Sequence, residues 1–361
     1  MAQNKVLSAL LLWPLSRIYG AVISVRNLLF EIGILKQTSF DVPVIVVGNI
    51  AVGGTGKTPH TEYIINLLHS HYNIGVLSRG YKRKTKGYFL ATDNVTPSQI
   101  GDEPYQMYRK FGQYVTIAVC ENRCQGIRNM LASNPNINLI ILDDAFQHRY
   151  VKPKFSIVLT EFSRPIYNDH LMPLGRLREP IHSLNRADIV IVTKCPEEMK
   201  PIEYREFKNN LNLYPYQNLY FSTYRYKDLQ PVYPEKATFI PQLDWLTKND
   251  SVLILSGIAN PRPLVRHIKK YKPSVKVKVF DDHHDYDVND INLIINKYNS
   301  LKGEKKYIIT TEKDAVRLKE NPYVPDSLKS QIFYIPITVS FMATNDNDFD
   351  TDINKMITRK L

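Results

Sequence analysis

Cysteine is scarce: Cys120, Cys124 and Cys195 are the only three in 361 residues, and no CxxC pair occurs. An odd count without a pairing pattern excludes a disulfide framework and a thiolate zinc site, suits a reducing cytoplasm, and leaves Cys120 and Cys124 as simple buried thiols. Long hydrophobic runs are missing too. The most apolar uncharged stretch, residues 6–15, falls well short of the ~20 residues that span a bilayer. Arg17 and Arg26 follow it without a small-residue cleavage site, which argues against a cleaved signal. Acidic charge is in deficit, with 35 Asp and Glu against 47 Lys and Arg and a net charge of +12. That balance suits an anionic partner such as a nucleotide, a nucleic acid or an acidic membrane surface. The basic residues are spread along the chain without an aromatic stacking platform or a helix-turn-helix pattern, so no nucleic acid is expected. Internal repeats and long low-complexity tracts are absent.

What is present begins with an amphipathic helix. Beyond Pro14, the residues Ile18, Ala21, Val22, Val25, Leu28, Leu29 and Ile32 recur at helical spacing, while Arg17, Gly20, Ser24, Asn27 and Glu31 fall on the opposite side. Such a helix either packs its apolar face on its own domain or lies in a membrane interface. Its place ahead of an otherwise complete domain, with Trp13 near the apolar start, favours the interface.

Short β-branched runs follow at 44–47, 74–77, 115–119, 139–142, 156–159 and 189–192. Continuous apolar runs alternating with helical stretches indicate a buried, mostly parallel sheet, hence an α/β fold. A polar passage rich in Tyr and Pro, about 214–244, interrupts the pattern before strands resume at 252–255, 275–280, 307–310 and 333–339. Three parts are therefore expected: a membrane-associating helix over 1–40, a phosphate-loop core over 41–215, and a smaller α/β domain over 216–361. The acidic, Asn-rich segment 345–352 reads as a solvated loop.

The run 44–47 leads through GNIAVGGTGKTP into an apolar-periodic helix beginning near Lys57, the strand-to-helix context of a phosphate loop. The loop residues are Ala51, Val52, Gly53, Gly54, Thr55, Gly56, Lys57 and Thr58. Its glycines let backbone N–H groups close on phosphate oxygens, Lys57 supplies a mobile cation to the β- and γ-phosphates, and the Thr58 hydroxyl is placed for magnesium. Ala51 stands where the motif has glycine. Pro59 is tolerated in a first helical turn. Asp143 and Asp144 end the strand 139–142, where such proteins place the carboxylate that holds the metal or its water. Adjacent residues at a strand end point to different sides, so the sequence leaves open which of the two faces the metal.

With these motifs the chain resembles the tetraacyldisaccharide 4'-kinases, the lipid A 4'-kinases, along nearly its whole length. The matching segments run in order: the phosphate loop from Gly48, LSRGY from Leu77, GDEP from Gly101, ENR from Glu121, LDDAFQHR from Leu142, MPLGRLREP from Met172, VTK from Val192, SGIANP from Ser256, FDDHHDY from Phe280 and TTEKDAVRL from Thr310. Ala145 and Arg176 depart from the family's Gly and Pro. The resemblance implies ATP- and magnesium-dependent phosphorylation of the 4'-hydroxyl of an acylated disaccharide 1-phosphate lipid. It further implies a peripheral enzyme on the cytoplasmic face of the bacterial inner membrane, with two α/β domains around a cleft and no obligate protein partner.

By the same resemblance Asp102 and His283 form a catalytic pair facing each other from the two domains, with His284 in support. Arg79, Arg123, Arg178 and Glu179 become candidates for stabilising phosphate charge or completing the metal shell, roles for which the forked guanidinium is suited. Asn260 is a candidate nucleotide contact, although a turn-forming Asn before Pro261 explains it nearly as well. Two other functions compete. One is a membrane-associated ATPase switch, which the Val52 in place of a signature lysine argues against; the other is a soluble phosphate-loop kinase of a small hydroxyl compound.

Overall fold

The computed structural model describes residues 2–258, 260–281, 284–342 and 348–359, with side chains from residue 12 onward. The chain opens with helix α1 (Ala2–Glu31), which runs through Pro14. Strand β1 (Val44–Asn49) and helix α2 (Lys57–Leu68) bracket the phosphate loop. Then come β2 (Ile74–Ser78), β3 (Phe89–Leu90), β4 (Thr116–Val119), β5 (Leu139–Asp143), β6 (Phe155–Glu161), β7 (Ile189–Thr193) and β8 (Asn218–Tyr226). The remaining strands are β9 (Gln230–Pro231), β10 (Ser251–Ser256), β11 (Ser274–Val279), β12 (Lys306–Thr311), β13 (Ile332–Ile335) and β14 (Ile337–Phe341).

Two sheets result, a nine-stranded one in the order β14-β8-β7-β6-β1-β5-β2-β4-β3 and a five-stranded one in the order β11-β10-β12-β13-β9. From β8 through β4 every pairing is parallel, and β3 runs antiparallel to its neighbour β4. The α/β class with a mostly parallel sheet is borne out. Every residue of β1, β2, β5, β6 and β7 is buried, because crossover helices cover both faces of a parallel sheet. Alternation divides β1 between the two covering layers: Val44 and Val46 join one core, Ile45 and Val47 the other. Each such side chain contributes roughly 1.5–3 kcal/mol by burial.

The chain forms two compact units, Met1–Tyr224 with Val339–Leu361, and Arg225–Thr338. The division falls later than the expected 215/216 boundary, since β8 pairs in register with β7, Ile189 opposite Asn218 through Val192 opposite Phe221. The early part of the Tyr-rich passage, as β8, therefore belongs to the first sheet, with Tyr220, Phe221 and Ser222 buried, while β9 joins the second. The expected strand 333–339 is two strands, because Pro336 separates β13 in the second sheet from β14 in the first. From Phe349 the segment expected as a solvated loop is helical, Phe349–Thr358, with Phe349 buried; residues 345–347 lie outside the described residues.

α1 sits on the first unit with its polar face inward. Ser16, Gly20, Asn27 and Phe30 are buried, whereas Trp13, Leu15, Ile18, Val22, Val25, Leu28 and Ile32 are each more than half exposed. No described helix is long and apolar enough to cross a membrane.

Candidate active site

Parallel register brings the carboxyl ends of β1, β5, β2, β6 and β7 to one edge, with Val47 opposite Asp143 and Leu77 opposite Leu142. The phosphate loop leaves from that edge, where open α/β sheets bind ligands. Its first half is laced to residues 176–178. Val52 N donates to Arg176 O at 2.8 Å, Arg178 N donates to Ile50 O at 2.7 Å, and Ala51 bridges Leu177. Ala51 thus lies in an extended segment, and its lack of a glycine costs nothing there. The left-handed positions are Gly53 (φ 108°) and Gly56 (φ 94°), both glycine as such angles require. Gly48 is needed for another reason: a Cβ there would lie 2.9 Å from the Phe146 amide nitrogen.

The second half of the loop is held from below. Asn49 Nδ2 donates to Thr55 Oγ1 at 2.7 Å, Thr193 Oγ1 donates to Thr55 O at 2.8 Å, and Lys194 Nζ donates to Gly54 O. His60, one turn into α2, donates from Nδ1 to Gly56 O at 2.7 Å, so Nε2 accepts from the Ser222 hydroxyl at 2.9 Å. Burial pushes this imidazole down to about 4 and keeps it neutral.

Lys57 Nζ lies 3.6 Å from Asp144 Oδ1, and Arg178 Nη1 lies 3.2 Å from the same oxygen. Asp144 has a positive φ of 47°, which turns it off the strand toward these cations. Asp143 is fully buried and accepts from Thr61 Oγ1 at 3.0 Å and Ser78 Oγ at 3.3 Å. Burial first, then the nearby Glu103 and Asp144 carboxylates, push Asp143 up to about 7, against the pull of Lys57. The two aspartates are thereby told apart: one is a buried carboxyl on the α2 side, the other a half-exposed partner of Lys57 and Arg178.

The other expected residues scatter more. Arg79 is exposed at the end of β2, and its charge helps to lower the His148 imidazole, which burial depresses to about 4. Arg123 is buried and spends its guanidinium on main-chain carbonyls, those of Cys120 and Glu121 at 3.0 and 3.2 Å and of Asp143 and Asp144 at 3.5 Å. Through these carbonyls it braces the aspartate turn. Glu179, expected in the metal shell, has 0% exposure; its Oε2 accepts from Arg186 and, at 3.2 Å, from Asn27. A carboxylate so enclosed and paired is a structural ion pair of the buried kind. Asp102 opens the helix Asp102–Phe111 after Gly101. Asn260, in the second unit, accepts from Arg262 N at 3.2 Å in a local turn. His283 lies outside the described residues, while His284 pairs with Asp290 at 2.6 Å.

Sequence reasoning missed Thr61, Ser78, His60 and Gln147. Thr61 was within reach, since it lies four residues after Lys57 on the same helix face. His60 also lies four residues after the Gly56 carbonyl it holds, whereas Ser78 meets Asp143 and Gln147 meets Asn49 through tertiary hydrogen bonds that leave no local trace.

A strand, a glycine turn with a lysine, and a carboxylate pair on the neighbouring strand define a phosphate-loop nucleotide-binding protein. The model of the tetraacyldisaccharide-1-P 4'-kinase family matches residues 8–358. A tetraacyldisaccharide 4'-kinase of Bacteroides thetaiotaomicron is 51% identical over 95% of this chain and 91% of its own length. One of Bacteroides fragilis is 45% identical over 98% and 94%. A crystal structure of LpxK from Aquifex aeolicus in complex with ATP matches with a TM-score of 0.72 at 27% identity, covering 99% of this chain and 98% of that one. The chain belongs to the tetraacyldisaccharide 4'-kinase family. The expectations of an ATP-binding transferase and of a kinase of lipid A biosynthesis are borne out.

Proposed function

We propose that the enzyme transfers the γ-phosphate of ATP to the 4'-hydroxyl of an acylated disaccharide 1-phosphate held at the inner-membrane surface. The lipid half of this reading is carried by the inverted seating of α1, whose apolar row, with Ile18 and Val22 each 61% exposed, faces away from the fold. A helix that buries its polar face and exposes its apolar one is matched to an acyl boundary, and Trp13 suits the headgroup level. The soluble-kinase alternative gives that row no purpose.

In this reading Lys57 and Arg178 neutralise charge on the transferring group, and Gly53 to Thr58 cradle the phosphates. The donor set fits magnesium. Asp143, a buried carboxyl that desolvation pushes up to about 7, and the Thr58 hydroxyl are hard oxygen donors of the type that ion takes, with phosphate oxygens and water filling the rest. When bound, the ion stabilises charge on the phosphate oxygens. Among the described residues no cluster of three metal-ligating side chains exists. Asp102 and His283 serve as orienting carboxylate and base toward the sugar hydroxyl, a pairing that rests on the resemblance. The test is incubation with magnesium, γ-labelled ATP and either the acylated disaccharide 1-phosphate or its deacylated analogue. Label transfer to the acylated acceptor is expected; equal or better transfer to the deacylated one refutes the lipid reading.

A further inference from the structure

The polar face of α1 does more than cover the fold, because three of its side chains reach the two segments that carry Asp144 and Arg178. Tyr19 Oη donates to the main-chain carbonyl of Arg178 at 2.8 Å. That residue's own amide is tied to Ile50 at 2.7 Å, and its guanidinium holds Asp144 at 3.2 Å beside Lys57. Arg26 Nη2 donates to Gln147 O at 2.7 Å, and Gln147 Nε2 donates to Asn49 O at 2.7 Å, at the start of the phosphate loop. Asn27 Nδ2 donates to Glu179 at 3.2 Å, one residue beyond Arg178. A helix serving only as an anchor would need none of these bonds, since attachment to lipid is supplied by the opposite face.

We propose that Tyr19, Arg26 and Asn27 are positioning residues of phosphoryl transfer, through which the seating of α1 fixes Arg178 and Asp144 against Lys57. The element offered to the acyl boundary is then the element that holds the transfer geometry. The proposal rests on the kinase reading of the site and is independent of the lipid reading of the helix's outer face.

The experiment uses full-length Tyr19→Phe and Asn27→Leu with the acylated disaccharide 1-phosphate dispersed in detergent. Tyr19→Phe removes one oxygen from a half-buried ring and is expected to fold. We expect kcat to fall by roughly 10- to 100-fold, the range set by small misplacements of reacting groups, with the KM for ATP within about twofold and vesicle partition unchanged. Tyr19→Phe added to Arg178→Ala should lower kcat no further than Arg178→Ala alone, because the ring acts through that arginine. An unchanged kcat in Tyr19→Phe overturns the proposal, as do losses that multiply in the double variant. A fall seen only with vesicle-borne substrate also overturns it, since that would assign Tyr19 to lipid contact. A fully active Arg178→Ala would instead remove the role given to Arg178, separating that failure from this one.

Discussion

Replacing Asp143 with asparagine should stabilise the nucleotide-free protein while disabling it. The carboxyl is fully buried and held near 7 rather than 3.8, which corresponds to a cost of up to about 4 kcal/mol once it is ionised. Relaxation and water entry around a buried charge lower this to ~2 kcal/mol in practice. The sign follows from proton binding. Between pH 3.8 and about 7 the folded chain holds a proton at Asp143 that the unfolded chain has lost, so stability declines across that window as pH rises and levels off above it. Asparagine keeps the neutral shape, with its Oδ1 able to accept from one of the Thr61 and Ser78 hydroxyls and its Nδ2 able to donate to the other, and it has no such dependence. The advantage of Asp143→Asn should therefore be small near pH 5 and reach roughly 4–8 °C in melting temperature at pH 8, taking ~2 kcal/mol and a unit of this size. Thermal unfolding of both proteins in chelator at pH 5, 6.5 and 8 measures it. A difference independent of pH, or an asparagine variant that melts lower at pH 8, would refute the reasoning. Phosphoryl transfer by the same variant should be lost, a trade of activity for stability seen where a functional group is held against its own solvation.

Lys57→Ala should lower transfer by roughly 10³-fold or more with an unaltered circular dichroism spectrum, because its charge stands beside Asp144 for the transferring group; near-native turnover would contradict it. Glu179→Ala should cost ~3–5 kcal/mol of stability by leaving the largely buried Arg186 without its carboxylate, with the magnesium dependence of kcat unshifted. A shifted magnesium dependence at intact stability would return Glu179 to the metal shell. Asp102→Ala and His283→Ala should each lower kcat by roughly 10² to 10⁴ with little change in ATP affinity, and the pair by far less than the product. A kcat-against-pH profile unchanged in His283→Ala removes the histidine as base.

The parallel sheet and the phosphate loop were legible because both are written locally, one in unbroken β-branched runs and the other in a strand, a glycine turn and a helix start. β8 was not, since NLYFSTYRY reads as polar and aromatic, and only its pairing with β7 buries Tyr220, Phe221 and Ser222. The sequence placed Asp143 and Asp144 at the site but could not separate them; the positive φ at Asp144 and the hydroxyls over Asp143 do so. Arg123 and Glu179 were expected to face phosphate or metal, and in the structure their partners are main-chain carbonyls for the one and Arg186 and Asn27 for the other. A charged residue in a specific motif reads as a ligand contact, and whether it meets a ligand or a buried backbone carbonyl is decided by packing. The helical period of α1 gave the two faces correctly, yet which face turned inward is a property of what Asn27, Tyr19 and Arg26 find on the surface below.

The return of the chain after Thr338 to the first unit bears on the order in which the enzyme is made. β14 adds to the edge of the nucleotide-binding sheet beside β8, and the helix Phe349–Thr358 ties to it through Tyr63 on α2 and Tyr220 on β8, whose hydroxyls meet Asp350 and Asp352. On the ribosome, the second unit is complete while the first still lacks an edge strand and the helix that braces α2. β14 and the helix Phe349–Thr358 thus reach the kinase core only after the second unit has been made, and a nascent or prematurely ended chain can carry every residue of the phosphate loop and still lack the scaffold that stiffens it.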